Sequence, residues 1–297
     1  MIKIEFKGEA RRNFYIRLAV SAIGIAIVAL VLAQESPAWT LFLVLLVVLL
    51  GLTEYLRIVG FSPREQVFAT GVGLSLSCVA YLYPGGAFAW LGVCVLSTFS
   101  YFLFTTGRNP AQAVRRVEQT LFGAAYVGLL IFVALLKRDA GGDGARWVLL
   151  LLSVVWAQDT AIYLLWLLLG GHQDYPDLGS SLRGRAARAV RMFPLPEEIS
   201  RNKSWGYLAP SFAACLLAAW IARETYLPQI TGLEVCLLSA GSAVSSRFGD
   251  LCESMLKRAF GAKDSGPFLP GHGGILDRID TLLFTAPLFY LFFRYHA

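Results

Sequence analysis

The chain has 297 residues, of which 56% are hydrophobic and only 15% are charged, and its mean hydropathy is +0.59. Soluble domains carry about 25% charged residues, so this composition excludes an ordinary soluble domain and predicts a protein embedded in lipid. The net charge of +6 is modest, and nucleic acid is not an expected partner. The five cysteines lack CxxC spacing, which argues against a zinc site or a disulfide framework.

Long apolar runs predict membrane-spanning helices along the whole chain. A helix needs roughly 20 residues to cross a hydrocarbon core of about 30 Å, and three runs are long enough: 15–33, 39–56 and 147–170. Six weaker candidates follow the same pattern: 66–83, 87–104, 119–136, 207–222, 230–248 and 280–296. The first run exceeds the signal-peptide core of about 7–15 residues, so we expect it to be retained. The predicted fold is all-α, a polytopic membrane protein with about nine transmembrane helices.

The distribution of basic residues predicts the orientation. Short cytoplasmic loops are enriched in Lys and Arg, and this pattern places the N-terminus and the basic loops 171–206 and 249–280 in the cytoplasm. Loop 137–146 is the exception, because it carries three cations on the predicted outer side. The two loops richest in polar residues therefore share one predicted side of the membrane.

A polar stripe follows the eighth predicted span. Residues three, four and seven apart share a helix face, which aligns Asp250, Glu253, Ser254 and Lys257. A carboxylate face that continues from a membrane helix is unfavourable unless it meets water, an opposite charge or a metal ion.

The segment "KDSGPFLPGHGGILDRID" (263–280) comes next. Its prolines stop helix formation and its glycines permit tight turns, which can present backbone N–H groups to an anion. Asp277 and Asp280 face one way at the start of the ninth span, and carboxylates beside a phosphate site are typical of Mg²⁺. Four cations can neutralise phosphate charge: Lys257, Arg258, Lys263 and Arg278.

Each of these patterns also has a plainer explanation. Charges at helix ends are commonly solvated or contact lipid headgroups, although this does not explain why carboxylates, cations and a glycine turn are interleaved. Asp159 in the sixth span is either functional or a paired structural carboxylate. In "SRNKSWGY", Lys203 near Ser200 either binds a phosphate or follows the basic bias of the loop. His272 lies between glycines, where histidine is more often structural than catalytic.

Residues 254–280 resemble the signature of phosphatidate cytidylyltransferases (CDP-diacylglycerol synthases): S-x-L-K-R, four residues, K-D, then P-G-H-G-G, two residues and D-R-x-D. The preceding "GDLCES", the aspartate of "DTAIY" and the lysine of "SRNKSWGY" are similar to further family elements in the same order. The resemblance covers roughly the second half of the chain, whereas the N-terminal spans match only in being hydrophobic.

The resemblance implies an Mg²⁺-dependent enzyme of phospholipid biosynthesis that makes a CDP-lipid from CTP and phosphatidate and releases pyrophosphate. A second, monovalent cation and a homodimer are compatible with it. The catalytic residues it implies are Asp250, Asp277, Lys263 and Lys203. The candidate metal ligands are Asp250, Asp277, Asp280 and Glu253. The candidate nucleotide- or phosphate-binding residues are Asp159, Ser200, Lys203, Ser254, Lys257, Arg258, Lys263, His272, Gly273, Gly274 and Arg278.

Two departures from the family pattern leave the lipid substrate open. The family carries two adjacent lysines before the seventh span and a glutamate after the tryptophan, where this chain has Asn202, Lys203 and Gly206. The long basic loop 171–200 forms either an amphipathic helix on anionic lipid or a solvated linker. Two other functions stay open: a CTP-dependent lipid kinase of the dolichol or phytol type, and a transporter that uses Asp159.

We therefore expect one integral membrane domain, 1–297, with N-terminal transmembrane helices in 1–146 and a catalytic region in 147–297. The expected location is the bacterial inner (plasma) membrane, with the active site open to the cytoplasm. The expected partners are CTP, phosphatidate or a related lipid phosphate, and membrane lipid.

Overall fold

The computed structural model describes residues 8–106, 109–169, 204–266, 268 and 273–296. Their regular structure consists of α-helices and short 3-10 turns, which confirms the all-α prediction. The helices are α1 (Gly8–Leu32), α2 (Ala38–Ile58), α3 (Pro63–Leu82), α4 (Ala87–Thr106), α5 (Pro110–Gly128), α6 (Ile131–Asp139), α7 (Gly144–Leu168), α8 (Leu208–Thr225), α9 (Gly232–Ala259) and α10 (Leu276–His296).

Five segments of the described chain are long and apolar enough to cross a membrane: Ala38–Ile58, Pro84–Thr106, Pro110–Asp139, Gly141–Leu168 and Trp205–Thr225. The described residues of the apolar runs identified in the sequence are almost entirely helical. The membrane class is therefore confirmed, while the number of about nine spans stays a prediction. The run 119–136 is divided between α5 and α6. There, Leu129 and Leu130 bond to carbonyls three residues back rather than four, at 3.3 and 3.2 Å, which interrupts the α-helix.

The contacts divide the chain into two compact units. The first unit comprises Met1–Arg138 and Phe260–Ile279, and in it α3 packs against α2, α4 and α5. The second unit comprises Asp139–Ala259 and Asp280–Ala297, and in it α8 packs against both α7 and α9. The predicted division of the membrane domain at residue 146 stays a prediction.

Basic side chains in the first unit cap the C-terminal ends of helices. Lys137 Nζ donates to the Leu32 carbonyl at the end of α1 (3.2 Å), and Arg138 donates to the Tyr81 carbonyl near the end of α3. The last carbonyls of a helix lack intrahelical partners and carry partial negative charge, so cations stabilise them. Loop 137–146 carries three cations against the positive-inside pattern, and two of them, Lys137 and Arg138, therefore have a structural role as helix caps.

A buried polar chain runs through the second unit. Cys215 Sγ donates to Gln158 Oε1 (3.5 Å), Gln158 Nε2 donates to Ser246 Oγ, and Ser246 Oγ lies 3.0 Å from Thr285 Oγ1. Polar groups in an apolar interior are costly unless they are hydrogen-bonded. These mutual bonds therefore fix α7, α8, α9 and α10 in one register within this unit.

Candidate active site

The family-like signature contributes residues to both units. Residues 260–279 belong to the first unit, whereas 254–259 and Asp280 belong to the second.

Asp277, in the first turn of α10, is held by three donors. Its Oδ2 atom accepts hydrogen bonds from Ser265 N at 3.0 Å, Ser265 Oγ at 2.9 Å and Gly274 N at 2.9 Å. Several donors on one carboxylate oxygen restrict the rotation of the side chain. The structure thus fixes the direction of this predicted metal ligand.

The two glycines before α10 are required by this arrangement. Gly273 has a positive φ of 85°, a conformation that glycine adopts without strain, and a Cβ there would lie 2.9 Å from Asp277 Oδ2. A Cβ at Gly274 would overlap Ser265 Oγ and Glu54 Oε2. The glycine turn predicted from the sequence therefore has a physical reason, which is the close approach of two carboxylates and one hydroxyl.

Glu54 of α2 is a site residue that the sequence analysis missed. Its side chain is only 3% exposed, and it accepts hydrogen bonds from Ile275 N and Leu276 N, both at 2.9 Å. Its Oε2 also lies 3.0 Å from Ser265 Oγ, whose one proton is shared with Asp277. The two amides belong to the start of α10, where N–H groups lack intrahelical acceptors and attract negative charge. A glutamate near the end of the apolar run 39–56 was the available signal, since buried carboxylates in membrane helices commonly have a role.

In the second unit, Asp250 lies beside a buried arginine. Arg247 Nη1 is 3.4 Å from Asp250 Oδ2, and its guanidinium lies 5.6 Å from the centroid of the Tyr207 ring. The Arg247 side chain is 6% exposed and that of Asp250 is 26% exposed. Asp159, exposed on α7, also acts electrostatically on Arg247. Arg247 is therefore a second residue that the sequence analysis missed, although a cation in the serine-rich apolar run before "GDL" is a visible signal.

The polar stripe on α9 is confirmed as a continuous helical face. The helix extends to Ala259, with Glu253 and Ser254 buried and Met255 exposed. Lys257 forms an ion pair with Glu253 one turn before it. The charges of this stripe thus face the protein interior and are paired there.

Gly249 brings α9 against the start of α10. A Cβ on Gly249 would overlap the backbone oxygen of Asp280 and lie 3.1 Å from Thr281 Cα. Asp280 is buried, and its Oδ1 accepts from Thr281 N at 2.7 Å. Within this unit, the close approach sets the backbone of Asp280 beside that of Asp250.

The remaining predicted site residues fall into two groups. Arg258, Lys263 and Arg278 are exposed, as phosphate-binding cations at an aqueous surface need to be. Ser200, Lys203 and His272 lie outside the described residues, so their roles stay predictions.

The chemistry of the described carboxylates fits a magnesium ion. Among the described residues, no group of three or more His, Cys, Asp or Glu is arranged to hold a metal, but Mg²⁺ usually takes one or two carboxylates together with substrate phosphates and water. Asp277 offers hard oxygen ligands oriented by surrounding donors, as metal-binding carboxylates commonly are. Glu54 and Asp277 also converge on one hydroxyl, which places two carboxylates close together.

Comparison with known proteins supports the resemblance noted in the sequence. The model of the cytidylyltransferase family matches residues 15–180 and 189–296. The phosphatidate cytidylyltransferase of Brucella suis biovar 1 is 35% identical over 240 residues, covering 81% of this chain and 74% of the relative. Those of Synechocystis sp. and Staphylococcus haemolyticus are 31% and 28% identical, covering 83% of this chain in each case and 85% and 87% of the relatives. Because the match includes the N-terminal helices as well as the signature, the chain belongs to the cytidylyltransferase family.

Proposed function

We propose that this protein is a membrane phosphatidate cytidylyltransferase, which transfers CMP from CTP to phosphatidate and yields CDP-diacylglycerol and pyrophosphate. The observation that carries the proposal is the Asp277 carboxylate, held by Ser265 and Gly274 at the D-R-x-D end of the signature. The names of its relatives support the choice of substrates.

The reaction depends more on the positioning of the two substrates than on a general base. A phosphate oxygen of phosphatidate attacks the α-phosphorus of CTP, the bond from that phosphorus to the bridging oxygen breaks, and pyrophosphate leaves with the electron pair. The attacking oxygen is already anionic, so no proton has to be removed, and catalysis depends on orientation and charge stabilisation.

Asp277 in the first unit and Asp250 in the second are each proposed as a metal-binding carboxylate, by resemblance to the family. Mg²⁺ held by such a carboxylate would neutralise phosphate charge in the transition state. The exposed cations Arg258, Lys263 and Arg278 are proposed to bind phosphate oxygens. Lys203 has the same proposed role in the loop before α8.

The proposed location is the bacterial inner membrane, with the signature loop in the cytoplasm. Cysteine labelling tests this orientation in a variant whose native cysteines are replaced. A cysteine at Lys263 should react with a membrane-impermeant maleimide only after the membrane is opened, whereas one at Gly142 should react in intact spheroplasts. The reverse pattern would overturn the orientation.

Transfer of a labelled phosphate tests the reaction itself. Purified protein in detergent is given phosphatidate, Mg²⁺ and CTP labelled on the α-phosphate, with Asp277→Asn beside wild type. We expect label in CDP-diacylglycerol for wild type and for the control Asp143→Asn, which changes a carboxylate outside the signature, and none for Asp277→Asn. Label in free CDP, together with a newly phosphorylated lipid, would mean a lipid kinase. Label that stays in CTP across a panel of lipid phosphates would reject the proposal.

A further inference from the structure

Glu54 is a buried carboxylate whose described hydrogen-bond donors are all uncharged. They are one hydroxyl and two backbone amides, at 2.9–3.0 Å. A charge at 3% exposure is costly unless such donors replace water. The sequence around it is apolar and forms the long helix α2, in which Glu54 is a buried carboxylate.

The donors to Glu54 flank the glycine-rich segment of the signature. Ser265 precedes that segment and Ile275 and Leu276 follow it, and all three lie more than 200 residues from Glu54 along the chain. Gly266 and Gly274 approach the same carboxylate so closely that a Cβ on either would lie 3.0 Å or less from its oxygens. One side chain of α2 therefore ties both ends of the segment that delivers Asp277.

Ser265 connects the two carboxylates directly. Its Oγ lies 3.0 Å from Glu54 Oε2 and 2.9 Å from Asp277 Oδ2, and one hydroxyl donates to only one acceptor at a time. The other two donors to Asp277 are the amides of Ser265 and Gly274, which belong to the ends that Glu54 holds. The direction of the Asp277 carboxylate thus depends on Glu54 through Ser265 and the turn.

We infer that Glu54 is a positioning residue, which sets the Asp277 carboxylate for metal binding by clamping the two ends of the signature loop. This inference rests on the proposed function, because it takes Asp277 as a metal ligand. A carboxylate with only a structural role would affect folding, whereas a positioning carboxylate also sets the Mg²⁺ requirement of the folded protein.

Glu54→Gln is the sharpest test, because it keeps the size of the side chain. The glutamine amide has only one acceptor oxygen. Its NH₂ group therefore faces one of the N–H or O–H donors that bond to the Glu54 carboxylate, and that hydrogen bond is lost. Loss of a residue that orients a metal ligand typically weakens metal affinity by about 10–100-fold. We therefore expect the half-saturating Mg²⁺ concentration to rise by about tenfold or more in two measurements: the rate of CDP-lipid formation, and the Mg²⁺-dependent rise of the melting temperature in detergent.

Two further variants make the test decisive. Glu118→Gln, an exposed glutamate on α5, should leave both Mg²⁺ curves unchanged. Ser265→Ala removes the shared hydroxyl and keeps the amide bonds to Glu54, so a smaller rise is expected. If Glu54→Gln does not fold, the Mg²⁺ requirement of Ser265→Ala tests the inference in its place. A folded Glu54→Gln protein with an unchanged Mg²⁺ requirement, even with a lower melting temperature, would overturn the inference, and so would an unchanged requirement in Ser265→Ala if Glu54→Gln does not fold.

The two hypotheses can fail separately. If wild type forms no CDP-lipid, or Asp277→Asn is fully active, the proposed function fails. If wild type and Asp277→Asn behave as proposed while Glu54→Gln keeps the wild-type Mg²⁺ curves, only the role of Glu54 is refuted.

Discussion

Replacement of Gly249 by alanine tests whether the spacing of α9 and α10 controls catalysis. A Cβ at this position overlaps the carbonyl oxygen of Asp280 and lies 3.0 Å from its carbonyl carbon and 3.1 Å from Thr281 Cα. All three are backbone atoms, so no side-chain rotation relieves the overlap. The two helices must move apart next to Asp250, which directly follows Gly249 in the chain.

The size of the effect follows from the shift that is needed. Restoring ordinary van der Waals contact to the carbonyl oxygen requires a displacement on the order of 1 Å, and a misplacement of about 1 Å in an active site can cost about 100-fold in rate. Overpacking of a well-packed core costs about 1–3 kcal/mol. We therefore expect Gly249→Ala to lose about 100-fold in kcat and to melt at a lower temperature, while a folded population remains.

Gly241→Ala is the matched control for this experiment. Gly241 lies on the same helix and faces the same partner helix, but a Cβ there meets only the Leu288 side chain, 2.9 Å from its Cδ2 atom. Leu288 can adopt another rotamer, so we expect nearly wild-type rates of CDP-lipid formation. Equal losses in the two variants, or a folded Gly249→Ala protein with the wild-type kcat, would refute the reasoning.

Two further predictions concern the charges of α9. The Glu253–Lys257 pair has side chains only 2% and 13% exposed, and removal of one partner of a buried pair costs about 3–5 kcal/mol. Lys257→Met should therefore lower the melting temperature clearly. The control Arg258→Met, at the exposed neighbouring position, should change stability by about 0.5 kcal/mol or less. Equal melting temperatures of the two variants would contradict a stabilising Glu253–Lys257 pair. Arg247→Gln removes the cation beside Asp250 and should lower kcat by about 10–100-fold if Asp250 is a metal ligand, with Arg247→Lys intermediate because it keeps the charge but not the planar group. Wild-type kcat in both Arg247 variants would show that this cation does not orient Asp250.

The sequence was informative wherever a pattern is local. Apolar runs marked the helices because lipid imposes both the length and the composition of a span. The face shared by Asp250, Glu253 and Lys257 followed from helical periodicity alone, and the structure contains it. The glycine turn before Asp277 was also predicted, since turn residues act through their own backbone preferences.

The sequence was uninformative where a role depends on distant contacts. Glu54 looks like one acid near the end of a span, and only the fold brings it to residues 275 and 276. Lys137 and Arg138 contradicted the orientation rule, because the rule counts charges without knowing which ones cap helices. The break between α5 and α6 was missed for the same reason, since hydropathy does not report the hydrogen bonds of Leu129 and Leu130.

The occupied amides of the glycine turn change how phosphate recognition should be understood. The sequence predicted that this turn offers backbone N–H groups to an anion, and the structure shows that the amides of Gly274, Ile275 and Leu276 donate to anions of the protein itself. An amide hydrogen engaged by a carboxylate is not readily shared with a phosphate, so these three described amides serve to hold Asp277 and Glu54. Under the proposed function, side-chain cations and a metal ion would neutralise the phosphate charge, and Arg258, Lys263 and Arg278 have the exposure that this role requires.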